Sequence, residues 1–308
     1  MINLITGGAG FIGSHLIDKL LRKGEKIICL DNFISSNNSN IIQWINNPKF
    51  ELIVHDIVDP IKINANKIWH LACPASPKNY QKDPINTAKI NFIGTYNVLE
   101  LAKQNNAKLL FASTSEIYGD PEIHPQNELY YGSTNTIGKR SCYVEGKRIA
   151  ETLCNNFINE HNLDVKIARI FNTYGPKMLP EDGRVISNFI CNGLKERKLF
   201  INGNGQQTRS FCFVDDLIDA LIKLMDSSYL SPINLGNPYE EYTILKLANL
   251  VIKKLDLNIK IIKGKSIEDD PAKRKPDISV AKRILKWDPK TNLDLGLNKT
   301  INYFKKVI

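Results

Sequence analysis

Tyr143 and Lys147 stand one helical turn apart in the stretch CYVEGKR, a spacing that sets an ammonium beside a phenol. A free phenol has a pKa of about 10 and is a poor base near neutrality. A neighbouring cation favours the phenolate and makes it a usable proton acceptor. Thr114 ends the apolar run KLLFAST, and its hydroxyl can hydrogen-bond a reacting alcohol from a strand end. Gly7, Gly10 and Gly13 follow the apolar run INLIT directly and open a helical pattern. In that setting the first glycine permits a tight turn and the second lets the backbone approach a pyrophosphate. The third allows close helix–strand packing. Together these residues describe hydride transfer between a hydroxyl-bearing carbon and a bound dinucleotide. Glu116, next to Ser115, is an additional acid for whatever follows oxidation.

Asp31 ends the next apolar run, KIICLD, about where a carboxylate can bind the adenosine ribose hydroxyls. A 2′-phosphate would be repelled there, and no arginine follows immediately, so NAD is expected in preference to NADP. The alternative is that Asp31 merely caps a loop beginning at Asn32. Asp56, after FELIVH, is a candidate for the adenine edge, with a plain turn residue as the alternative.

These residues need a scaffold, and the first half supplies one. INLIT, KIICLD, FELIVHD, KIWHLA, KLLFAST and VKIARIF read as strands. FIGSHLIDKLLRKG reads as a helix with Gly24 at its C-terminus, a longer helical pattern runs from Pro84 to about Gln104, and residues 141–161 have helical spacing. Continuous apolar strands alternating with helices argue for a parallel sheet covered on both faces. The expected fold is α/β, a Rossmann-like doubly wound sheet. Residues 1–171 are expected to form the NAD-binding domain. Residues 172–308, where prolines and glycines become frequent, are expected to form mainly a smaller C-terminal substrate-binding domain. PINLG is a candidate strand for return to the first domain.

The chain has 308 residues and a net charge of +9. Its lysines are spread out, and no aromatic-flanked basic tract is present, so a surface of solvated lysines is expected in preference to a nucleic-acid face. Met1 leads straight into an apolar strand, no leader pattern is seen, and no apolar run has membrane-span length. A cytoplasmic protein that does not enter a membrane is expected. Six cysteines without a CxxC pair read as reduced thiols. His15, His55 and His70 show no ligand spacing, so no metal is expected. Cys142 lacks a histidine partner and is not read as a nucleophile.

The residues TGGAGFIGSHL, the Tyr-x-x-x-Lys pair, and Thr114 four residues ahead of Tyr118-Gly119 resemble the extended short-chain dehydrogenase/reductase family. Within it the chain is similar to the UDP-glucuronic acid decarboxylases, or UDP-xylose synthases. The shared stretches are HLACPASPKNYQKDP, STSEIYGDPEIHPQ, IGKRSCYVEGKRIAETL, ARIFNTYGPKM, DGRVISNF, GQQTRSF, NLGNP and DDPAKRKPDISVAKRILKWDP. They run nearly end to end. Val144 replaces a usual acid, and Thr136 and Lys139 replace usual prolines; none is a catalytic position.

The resemblance implies a UDP-glucuronate substrate, oxidised at C4, decarboxylated and reduced again at C4, with NAD regenerated. A 4,6-dehydratase usually carries Asp-Glu where this chain has Ser115-Glu116, so the acid for water loss is missing. By resemblance Arg274 joins Glu116, Thr114, Tyr143 and Lys147 in catalysis, directly or through a bound water. Arg209 meets the UDP phosphates, because a guanidinium suits paired phosphate oxygens. Asn172, Arg184, Asn188 and Lys89 complete the expected substrate cleft. The cofactor surface is expected to include Phe11, Ile12, Asn32, Phe33 and Ile57, then Leu71, Cys73 and Ala112. A homodimer through helices 84–104 and 141–161 is implied by family analogy. The rival activities are a related 4-epimerase and an oxidative decarboxylase that releases the 4-keto sugar. The non-enzymatic rival is an NAD-binding regulator or an RNA-binding protein.

Overall fold

The computed structural model describes residues 1–266 and 270–308. Its first part contains β1 (Ile2–Thr6), β2 (Lys26–Asp31), β3 (Phe50–Val54), β4 (Lys67–His70), β5 (Lys108–Thr114) and β6 (Val165–Ile170). With the late strand Ile233–Leu235 they form a seven-stranded sheet in the order Ile233–Leu235, β6, β5, β4, β1, β2, β3. Every pair is parallel. This is the expected doubly wound Rossmann-like sheet. Helices on both faces bury its strands on both sides, which is why KLLFAST carries so few polar side chains. The strand order reverses between β1 and β4, and that crevice is where such sheets bind ligands.

Helix α1 (Phe11–Arg22) starts at Gly10 without a side-chain cap, leaving its first N–H groups facing the crevice. It ends in a glycine-dependent turn. Gly24 has φ +80°, and the N–H groups of Gly24 and Glu25 return to the carbonyls of Leu21 and Leu20.

The helical pattern expected from Pro84 is Pro84–Lys89, then a π-helical turn Ile90–Gly94, then Thr95–Asn105. The wide turn has a packing reason. A Cβ on Gly94 would lie 2.6 Å from Cδ1 of Ile57, and one on Gly146 would lie 2.8 Å from the Asn91 Cβ. The turn is therefore wedged between the loop after β3 and the long helix Ser141–His161.

Beyond β6, helices Val185–Glu196, Val214–Asp226, Ile244–Leu255 and Leu293–Val307 share one apolar cluster with α1. Strand Ile233–Leu235 returns to the main sheet, as the PINLG pattern suggested. A small sheet places strand Thr208–Ser210 between Glu241–Thr243, antiparallel, and Lys273–Arg274, parallel. In its register Arg274 pairs with Arg209, so two cations far apart in sequence arrive side by side. No described helix is long and apolar enough to cross a membrane.

Candidate active site

A cleft of about 430 Å³ runs from the glycine turn, past the C-terminal ends of β1, β4 and β5, to the small sheet carrying Arg209 and Arg274. At the first end, Gly7 has φ +70°. A Cβ on Gly13 would lie 2.4 Å from the Gly7 carbonyl oxygen and 2.7 Å from the Gly8 Cα. The turn therefore tolerates no side chain at Gly13, and its exposed backbone suits a pyrophosphate. Asp31 is buried at the end of β2. Its Oδ2 accepts from the Ala9 N–H at 2.9 Å, and its Oδ1 accepts from the Phe33 N–H at 2.9 Å and the Ser36 hydroxyl at 2.8 Å. The carboxylate is thus fixed to the glycine turn while lining the cleft. Asn32 donates to Asp56 at 2.9 Å, and Asp56 accepts from the Val58 N–H at 3.0 Å. Both line the cleft, with Gly7, Gly10, Phe11, Ile12 and Gly13. Ile57, Leu71, Cys73 and Ala112 line it as well. These residues fit a dinucleotide.

Asp31→Ala is expected to weaken NAD binding about tenfold, the scale of lost hydrogen bonds to a charged group, and to narrow the preference over NADP. Calorimetric titration with both cofactors checks it. Equal binding of NAD and NADP by the unaltered protein would remove the Asp31 assignment.

At the middle of the cleft, Lys147 donates from Nζ to the Ala112 carbonyl at 2.9 Å. Its ammonium sits 4.7 Å from the Phe111 ring centroid and 5.9 Å from that of Tyr143. Tyr143 is hydrogen-bonded with Thr114, and its ring stacks on Tyr80 with centroids 4.9 Å apart and an angle of 1°. Burial pushes the Tyr143 phenol above its usual range, the Cys73 and Glu116 charges add to the rise, and the Thr114 bond and Arg184 only partly oppose it. Burial also depresses Lys147. Burial dominates the phenol, and the Thr114 bond and the Arg184 charge favour its ionised form. Lys147 is thus tied to a carbonyl and brings one positive charge near the phenol. His70 is held near pKa 3 by burial and by Lys147, and bridges Thr6 at 2.8 Å and Thr95 at 3.1 Å. It is a neutral part of the sheet, as its sequence context suggested. Among the described residues no cluster of His, Cys, Asp or Glu could hold a metal.

At the far end, Thr114 caps the short turn Ser115–Tyr118 by accepting the Glu116 N–H at 3.2 Å. That turn delivers Glu116 into the cleft. Its Oε1 lies 3.5 Å from Arg140 and 3.6 Å from Arg274. Its Oε2 is buried and makes no hydrogen bond among the described residues. Arg209 donates to the Thr208 carbonyl at 2.7 Å and pairs with Asp270 at 3.0 Å. Burial and the neighbouring Arg274 pull Arg209 down to about 10, with Asp270 pushing back, so it remains cationic at neutral pH. Asn172, Arg184 and Asn188 line the same cleft. Arg184 pairs with Asp182 at 2.9 Å, and Asn188 donates to the Gly183 carbonyl at 2.9 Å.

Two expected residues lie outside the cleft lining. Lys89 is exposed, because Thr87, Ile90 and Asn91 take the inward face of that helical segment. Phe33, at φ 58°, turns its ring onto the apolar cluster and offers only its N–H to Asp31. Three residues escaped the sequence reading: Tyr80, Arg140 and Asp270. An arginine one turn ahead of Tyr143 was the legible sign of Arg140. Tyr80 and Asp270 lay unremarked inside the shared stretches. Asp269, which opens the last shared stretch, lies outside the described residues.

The chain matches the NAD dependent epimerase/dehydratase family over residues 3–236. It is 51% identical to UDP-glucuronic acid decarboxylase 1 of Xenopus tropicalis over 98% of this chain and 72% of that protein. Against UDP-glucuronic acid decarboxylase 4 of Arabidopsis thaliana the identity is 50%, over 98% of this chain and 68% of that protein. The crystal structure of UDP-glucose 4-epimerase from Thermotoga maritima with UDP-glucose superposes with a TM-score of 0.91 at 28% identity, covering 100% of this chain and 99% of that one.

Proposed function

The chain belongs to the NAD dependent epimerase/dehydratase family, and we propose that within it the cleft converts UDP-glucuronate to UDP-xylose and CO₂ through a UDP-4-keto intermediate. The observation that carries this is Glu116, set between Arg140 and Arg274 just beyond Thr114 and Tyr143. Its neighbour on the strand side is Ser115, not the acid a dehydratase uses.

NAD, when bound, would supply the acceptor for the C4 hydride and the donor that restores it. The glycine turn, Asp31, Asn32 and Asp56 would hold it. Thr114 orients the C4 hydroxyl, and Tyr143 takes its proton. The 4-ketone is β to the C6 carboxylate, so the C5–C6 bond electrons can move into the enolate as CO₂ leaves. Glu116 repels and orients that carboxylate out of the enol plane, with Arg274 fixing the direction of Glu116. C5 then takes a proton from a water held by Arg274, which is made good from solvent, and Tyr143 returns its own proton as C4 is reduced. Arg209 grips the diphosphate at the far end, and Asn172, Arg184 and Asn188 line the path between. Residues 1–171 serve mainly the cofactor and 172–308 mainly the nucleotide sugar.

Incubation with UDP-glucuronate and NAD, read by mass and sugar NMR, tests the reading. UDP-xylose should form without NADH accumulating in step. Release of the 4-keto pentose, or of a 4-epimer with its carboxylate intact, would replace this assignment with one of its two enzymatic rivals.

A homodimer is also proposed. Ile85, Phe92, Tyr96 and Ile149 are exposed on helical segments 84–105 and 141–161, an apolar surface of the kind a second copy covers. Sedimentation at assay concentration should give twice the chain mass, and a single-chain mass would remove the proposal.

A further inference from the structure

Five charged side chains form one alternating chain across the cleft. Arg209 and Arg140 each approach the same oxygen of Asp270, both at 3.0 Å. Arg140 reaches on to Glu116 at 3.5 Å, and Glu116 meets Arg274 at 3.6 Å. Asp270 therefore touches the cation assigned to the diphosphate and a cation that bears on the acid assigned to decarboxylation. Its side chain is 21% exposed, against 8% for Arg209 and 12% for Arg140 and Glu116. Pairs this sheltered feel one another more strongly than surface pairs do.

We propose that Asp270 is a positioning residue that couples diphosphate binding to the placement of Glu116. It rests on the assignments of Arg209 and Glu116 above. Before substrate arrives, Asp270 holds Arg209 and Arg140 together and offsets their repulsion. A diphosphate engaging Arg209 competes for the same guanidinium. The shared oxygen is then left to Arg140, which is drawn away from Glu116. Glu116 is released to face the sugar carboxylate only when the nucleotide end is occupied. The arrangement makes the nucleotide handle, remote from the chemistry, contribute to turnover.

Asp270→Asn keeps the shape and removes the charge. UDP alone is the probe for the first half. With one opposing charge gone, it should bind about threefold more tightly at low salt. Turnover of UDP-glucuronate should fall about tenfold, the scale of a lost hydrogen bond between charged groups. Asp270→Glu, which keeps the charge, should return UDP affinity to its starting value and recover part of the turnover. NAD affinity should stay level throughout, and the thermal midpoint should fall modestly in Asp270→Asn and recover in Asp270→Glu. A merely structural role predicts a different pattern, with UDP affinity falling together with turnover and thermal midpoint, and that result overturns the proposal. Unchanged turnover in Asp270→Asn, or no recovery in Asp270→Glu, also overturns it. If the unaltered protein binds UDP but turns over no UDP-glucuronate, the functional reading fails by itself. The UDP titrations then still decide whether Asp270 opposes the diphosphate.

Discussion

Tyr143→Phe should leave a folded protein that binds NAD and forms almost no UDP-xylose. The ring stacked on Tyr80 at 4.9 Å is kept, so packing is preserved. What goes is the hydroxyl that bonds with Thr114, the proton acceptor proposed for C4. Removing a positioned general base typically costs about 10²–10⁴-fold in rate, and the loss here should lie at the upper end because Tyr143 takes the C4 hydroxyl proton at the start of the cycle and returns it at the end. The pH dependence has a definite sign. Burial raises the Tyr143 phenol above its usual range, and the phenolate is the active form, so turnover should decline as pH falls. Lys147→Met removes a positive charge and should move that decline to higher pH. NMR of the sugar product, beside calorimetric NAD titration, separates catalysis from folding. A Phe variant within tenfold of normal turnover would sink the assignment.

How far such a site can be read without coordinates depends on how local its causes are. Strands β2 and β5 begin and end where KIICLD and KLLFAST do, because buried parallel strands are apolar runs with polar stops. The glycine turn was legible for the same reason. Each glycine answers a contact within the turn or with β4's exit, such as Gly13 against Gly7. The π-turn at Ile90–Gly94 was not legible, since its cause is Ile57 pressing on Gly94 from another loop. Lys89 shows a subtler failure. Its helix was expected, but the phase of a short segment depends on which face meets the core. Arg140 and Asp270 lie 130 residues apart in sequence, and no periodicity announces that pairing. Arg274 was reached through resemblance. Its physical cause, the parallel register that sets it beside Arg209, became visible only in the small sheet.

Glu116→Gln should separate the two halves of the reaction. The substitution is isosteric, and the bond that fixes the turn, from the Glu116 N–H to Thr114, belongs to the backbone and survives. Thr114, Tyr143 and Lys147 are therefore left in place for the first step. The charge facing Arg140 and Arg274 is lost, and with it the repulsion proposed to turn the substrate carboxylate out of the enol plane. In a single turnover, absorbance of bound NADH should persist in part. Release of labelled CO₂ should slow about a hundredfold, the scale of losing one preorganised electrostatic group at the reacting centre. Arg274→Ala should slow CO₂ release as well. It should also weaken substrate binding, because its cation lies beside Arg209 in the sheet register. The comparison of the two rates is the decisive quantity, since an overall loss of activity has many causes and a change in their ratio has few. If both substitutions slow hydride transfer and CO₂ release by the same factor, Glu116 and Arg274 serve to place the substrate for the first step, and the division of labour between Tyr143 and Glu116 is wrong.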